Sequence, residues 1–92
     1  MNSILLDVRE YPEFAAGHIP ESKHVPLGEL QGACVSWDRD QRVTLVCKSG
    51  RRAQQARELL AQHGFKSLLV LDGGVDAWSA AGKPLRVLES RP

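Results

Sequence analysis

The chain has 92 residues, 42% of them hydrophobic and 25% charged, an ordinary globular usage that excludes a disordered or low-complexity polymer. Twelve Lys and Arg against eleven Asp and Glu leave a formal charge of +1, too little for a general grip on nucleic acid or an anionic membrane. Two cysteines, Cys34 and Cys47, cannot build a disulfide framework, and the apolar stretch Ile4-Leu5-Leu6 stops at Asp7, too short for a signal peptide or a membrane span.

A reducing, cytoplasmic setting is therefore expected. With no internal repeat and no Gly/Ser- or Pro-rich linker, residues 1–92 are expected to form one small domain. Residues 4–8 (Ile-Leu-Leu-Asp-Val) are the first continuous apolar run. Residues 27–35 follow Pro26 as a weak helical pattern. Residues 43–47 (Val-Thr-Leu-Val-Cys) form a second apolar run. Between 51 and 63, Ala53, Ala56, Leu59, Leu60 and His63 lie along one helical stripe, stopped by Gly64. Residues 68–71 (Leu-Leu-Val-Leu) are a third apolar run, and 75–81 a last helix, ended by Gly82-Lys83-Pro84. Short, partly β-branched runs without alternation suit strands buried on both faces, and their alternation with helices predicts an α/β fold, an open parallel sheet flanked by helices.

Ligands of such sheets bind beyond the carboxyl ends of the strands. Two loops stand there: Asp7-Val8-Arg9-Glu10, and Cys47-Lys48-Ser49-Gly50-Arg51-Arg52-Ala53. A thiol at the end of the 43–47 strand meets the N-terminus of the next helix, where unpaired N–H groups and the positive dipole end favour negative charge. Gly50 permits a turn that brings amides inward as an anion-binding nest, and Lys48, Arg51 and Arg52 add positive charge. Such surroundings are expected to hold Cys47 as a thiolate, below the ordinary value of about 8.5, and to make it a nucleophile that needs no histidine base. The opposite reading, an inert buried cysteine, fits Cys34, which sits in the 27–35 helix with no basic loop around it.

These motifs resemble the rhodanese (thiosulfate sulfurtransferase) family. The likeness is carried by Asp7-Val8-Arg9-Glu10, Glu13-Phe14, Gly17-His18-Ile19-Pro20, Val25-Pro26, the Cys47–Ala53 loop, Leu71-Asp72-Gly73-Gly74, Trp78 and Ala81-Gly82-Lys83-Pro84, from about Ile4 to Leu85. It implies that Cys47 takes a sulfane sulfur from thiosulfate or a similar donor, becomes a persulfide and passes the sulfur to cyanide or a thiol. Backbone amides from Lys48 through Ser49, Gly50 and Arg51 to Arg52 would cradle the persulfide, and the Lys48, Arg51 and Arg52 side chains would attract the anionic donor. Two displacements at one sulfur predict ping-pong kinetics. The resemblance implies no metal and no organic cofactor; a sulfur-relay protein is a further potential partner. Alternative readings are a persulfide carrier or regulatory rhodanese module, and a cysteine phosphatase or arsenate reductase. The phosphatases use Cys, five residues, then Arg; here Arg52 follows Cys47 after four, Ala53 holds the phosphatase arginine position, and Val46 stands where tyrosine-type enzymes usually have His.

Asp7 and Arg9 are expected in supporting roles. The Asp7 carboxylate should bond loop amides or Arg9. Arg9 should line the mouth of the site or pair with Glu10 or Glu13. His18 is expected to be structural. Gly73-Gly74 is read as a tight turn, with Asp72 capping the following helix and Trp78 filling core. Family members usually carry a strand and a helix ahead of the strand that ends in Asp-Val-Arg, whereas Met1-Asn2-Ser3 leads straight into it here. About four strands are therefore expected, with an exposed edge covered by Leu85-Arg86-Val87-Leu88 or by a partner, and a more open donor side.

Overall fold

Three apolar runs of the sequence lie side by side as strands in the computed structural model, which describes residues 3–88. In chain order the elements are β1 (Ser3–Asp7), α1 (Tyr11–Ala16), β2 (Lys23–His24), α2 (Leu27–Ala33) with a 3-10 turn at Cys34–Ser36, β3 (Arg42–Val46), α3 (Arg51–Gln62), β4 (Leu68–Val70) and α4 (Gly74–Ala80). The sheet runs β2-β1-β3-β4 and all its pairings are parallel, with Leu5 opposite Thr44 and Thr44 opposite Leu69. The expected α/β architecture is thus the observed one.

Strand alternation divides the core between two faces. Leu6, Val43 and Leu45 pack with Leu30, Cys34, Ala53, Ala56, Leu60 and Phe65 beneath α2 and α3. On the other face Val46 meets Ile19 and Val75, with Leu5, Leu71, Trp78 and Leu85 around them. Trp37 is half-buried, edge-to-face with Phe65 at 6.3 Å, and Trp78 is half-buried with its indole N–H donated to the Pro84 carbonyl at 2.7 Å.

Two elements escaped the periodicity. Helix α1 has six residues and buries Phe14 alone, so it shows no stripe; its start rests on reciprocal capping between Glu10 and Glu13 and on Pro12 in the first turn. Strand β2 is a polar pair of residues held by its pairing with Leu6 and Asp7, and it supplies the fourth strand. Among the described residues no helix is long and apolar enough to cross a membrane.

Two expectations are corrected. Residues 85–88 pair with no strand of the sheet. Arg86 and His18 exchange backbone bonds at 2.8 and 2.9 Å, and Leu88 donates to Ala15 at 2.9 Å. Leu85 joins the Ile19–Val46–Val75 cluster, where it loses apolar surface to the core. Asp72 does not cap α4: it is exposed, and the cap position is Gly73, left-handed at φ 73° with no side-chain bond.

Candidate active site

Cys47 directly follows β3 and is 1% exposed, so its sulfur forms the floor of the loop that leads into α3. Gly50 is the cap residue of α3 and holds φ 117°, a left-handed conformation that a side chain would strain. That turn delivers the Gly50 N–H to Cys47 Sγ at 2.9 Å, and the first turn of α3 delivers the Ala53 N–H at 3.3 Å. Both donors place partial positive charge against the sulfur. Ala53 as a donor was not foreseen: its apolar side chain hides the use of its backbone.

The far side of the loop is held by α4. Val75 and Asp76 donate to the Cys47 and Lys48 carbonyls at 2.9 and 3.0 Å. A trans peptide carries its N–H opposite its C=O, so the Lys48 and Ser49 amides are directed away from α4. Among the described residues the N–H groups of Lys48, Ser49, Arg51 and Arg52 make no hydrogen bond, which leaves them as donors for an anion. Gly74 makes this clamp sterically feasible. It is left-handed at φ 58°, and a Cβ on it would overlap the Cys47 and Lys48 carbonyls. The Gly73-Gly74 pair therefore does more than make a tight turn; it permits the close approach of α4 to the cysteine loop.

The three cations of the loop are differently occupied. Lys48 pairs with Asp76 at 3.2 Å on the surface. Arg52 grips Glu13 of α1 through both carboxylate oxygens, at 2.7 and 2.9 Å. This hydrogen bond holds the Glu13 carboxyl down at about 2 and, reciprocally, raises Arg52 above its ordinary value. Arg51 is exposed, and its side chain has no partner among the described residues. Ser49 is exposed beside it.

Asp7 is fully buried and takes its bonds from Arg9: the Arg9 N–H and Nε at 3.0 Å to one oxygen, Nη2 at 2.8 Å to the other. Arg9 also donates to the Gly17 carbonyl at 2.7 Å. Arg9 thus neither lines the mouth of the site nor pairs with Glu10 or Glu13; at 5% exposure it is buried, where its charge needs the adjacent carboxylate. The Asp7–Arg9 pair ties the first loop to the start of the Gly17-His18 segment. His18 is buried, its Nδ1 lies 2.9 Å from the Phe14 carbonyl, and its ring stacks on Phe14 at 4.0 Å. His24 stacks on Phe14 at 4.5 Å. Cys34 lies in the main core with its thiol near the Gln31 carbonyl at 3.5 Å.

The loop so built sets two amide donors against one sulfur, and its further amides and the exposed Arg51 side chain are unpaired among the described residues. Known proteins resemble the chain over most of its length. The rhodanese-like domain family matches residues 1–81. The chain is 34% identical over 82 residues to a sulfurtransferase of Allochromatium vinosum, covering 89% of this chain and 77% of that protein. It is 32% identical over 78 residues to the thiosulfate sulfurtransferase GlpE of Pseudoalteromonas translucida, covering 85% and 74%. A rhodanese-related protein from Thermoplasma volcanium superposes with a TM-score of 0.83 at 34% identity, over 95% of this chain and 85% of the other. With the cysteine loop, the parallel sheet and these relatives in agreement, the chain belongs to the rhodanese-like family of sulfurtransferases.

Proposed function

We propose that this chain acts as a single-domain thiosulfate sulfurtransferase, moving a sulfane sulfur to cyanide or a thiol through a persulfide on Cys47, in a reducing cytoplasmic compartment. The observation that carries this reading is the Cys47 sulfur at the loop floor, receiving N–H groups from Gly50 and Ala53, with further amides of the same loop unpaired among the described residues. The relative named as a thiosulfate sulfurtransferase supports the choice of donor.

In the first step the Cys47 thiolate attacks the outer sulfur of thiosulfate. The new Cys47 S–S bond forms as the donor's S–S bond breaks, and sulfite leaves with the electron pair. The terminal persulfide sulfur carries the negative charge, which the amides of Lys48 to Arg52 stabilise as preorganised dipoles. In the second step cyanide, or an acceptor thiolate, attacks that terminal sulfur and the electron pair returns to Cys47. No external oxidant or reductant enters the cycle. Attraction of the donor's sulfonate falls to Arg51, because the side chains of Lys48 and Arg52 are engaged by Asp76 and Glu13.

Incubation with thiosulfate followed by intact-mass measurement tests the reading. The wild-type protein should gain one sulfur atom and Cys47→Ser none, with thiocyanate production lost in the variant. A gain on Cys34, or no gain at all, would overturn the assignment.

A further inference from the structure

Beyond sulfur transfer, the sheet offers an edge built to meet itself. Strand β4 is the last strand of the sheet, and its ladder to β3 runs through Ser67, Leu69 and Leu71: the Ser67 carbonyl accepts from Val43, and Leu71 donates to the Leu45 carbonyl, each at 2.9 Å. By alternation, the N–H and C=O groups of Leu68 and Val70 point outward from the sheet. Leu69 is 68% exposed, a large apolar residue on an edge that, among the described residues, no proline or bulge protects. Beside it lies a surface depression of about 460 Å³, lined by Thr44, Lys66, Leu68 and Leu69 among others and away from the cysteine loop.

We propose that two copies of this chain join through β4, antiparallel, about a two-fold axis at Leu69. The register is set by the chain itself. With Leu69 opposite Leu69, residue 68 meets 70 of the second copy, and these are the residues whose backbone groups point outward. Leu68 and Val70 would exchange both backbone bonds as a hydrogen-bonded pair, while the Leu69 side chains meet in the closer, non-hydrogen-bonded position on the face that holds the depression. Carried past the ends of β4, the same register brings Lys66 toward Asp72, which lies in the turn after the strand. Both are exposed, neither forms an ion pair among the described residues, and each lies three residues from Leu69. A two-fold contact needs a surface complementary to itself, and opposite charges placed symmetrically about an apolar centre meet that condition. The result is one continuous sheet across both copies.

Sedimentation of the full chain over a dilution series from millimolar to micromolar tests this. Wild type should show a monomer–dimer equilibrium. Leu69→Lys, which sets two like charges face to face, should leave monomer only. Lys66→Asp and Asp72→Lys should each weaken the dimer on the order of tenfold, and the two combined should restore it, because the charges are then exchanged rather than matched in sign. All these positions are exposed, and circular dichroism checks that the variants are folded. A wild-type monomer at every concentration would overturn the proposal. So would a dimer indifferent to Leu69→Lys, or single reversals that the double variant fails to repair.

Discussion

Arg51 and Arg52 are adjacent, and their surroundings separate them. Arg52 is fastened to Glu13 in a two-pronged pair that ties α3 to α1, whereas the Arg51 side chain is exposed and unpaired among the described residues. Arg51→Ala is expected to raise the KM for thiosulfate roughly tenfold with little change in melting temperature, as loss of one charge on an anionic ligand should. Arg52→Ala should lower the melting temperature as well. Steady-state kinetics beside thermal melts on both variants would separate the two roles, and equal effects would refute the division. Glu13 gives a pH signature. Its carboxyl is held at about 2, chiefly by the Arg52 bond, against an ordinary value of 4.5. A carboxylate depressed on folding contributes stability above its unfolded value and loses it as the pH falls through the folded one. The stability gap between wild type and Glu13→Gln should therefore be full at neutral pH and close between about 4.5 and 2, as read by urea denaturation across that range. The gap itself should be small, because the pair is about one-third exposed.

Among the elements, α4 is the one whose placement decides the site. Its first-turn N–H groups hold the Cys47 and Lys48 carbonyls, and Gly74 allows the helix to come that close. Gly74→Ala would force Cβ into backbone atoms at a left-handed position, so either α4 or the cysteine loop must move. A stability loss of about 2 kcal/mol or more is expected, with a disproportionate fall in sulfur-transfer rate. Denaturant melts and turnover on the same preparation check it; unchanged turnover would show that the clamp does not set the loop. Gly50→Ala meets no neighbouring atom, only the strain of its φ, and should cost about 1 kcal/mol. The long helix and the apolar strands were legible because each repeats one side-chain preference over several turns or pleats. Helix α1 and strand β2 were not, since neither buries enough of its own residues to leave a period.

The whole molecule is a parallel sheet with its larger core beneath α2 and α3 and a smaller one beneath α4 and Leu85. Leu45, fully buried in the central strand β3 directly ahead of Val46 and Cys47, belongs to the larger core. Leu45→Ala is expected to cost about 2–5 kcal/mol through lost burial and the cavity left behind. A loss under about 1 kcal/mol in equilibrium unfolding would mean that the core there collapses around the gap. From residues in order, the α/β layering and the basic loop around Cys47 could be read, because hydrophobic runs, a glycine turn and a helix start are local chemistry. Partners distant along the chain could not. Arg9 meets Asp7 and the Gly17 carbonyl, Arg52 meets Glu13 across 39 residues, and α4 meets the Cys47 and Lys48 carbonyls, so which loop cation stays unpaired was decided only when α1, α3 and α4 packed around the same sheet. Composition had set the three loop charges on equal terms; each one's availability depends on which carboxylate the fold carries to within hydrogen-bonding distance, and that is a property of three-dimensional packing.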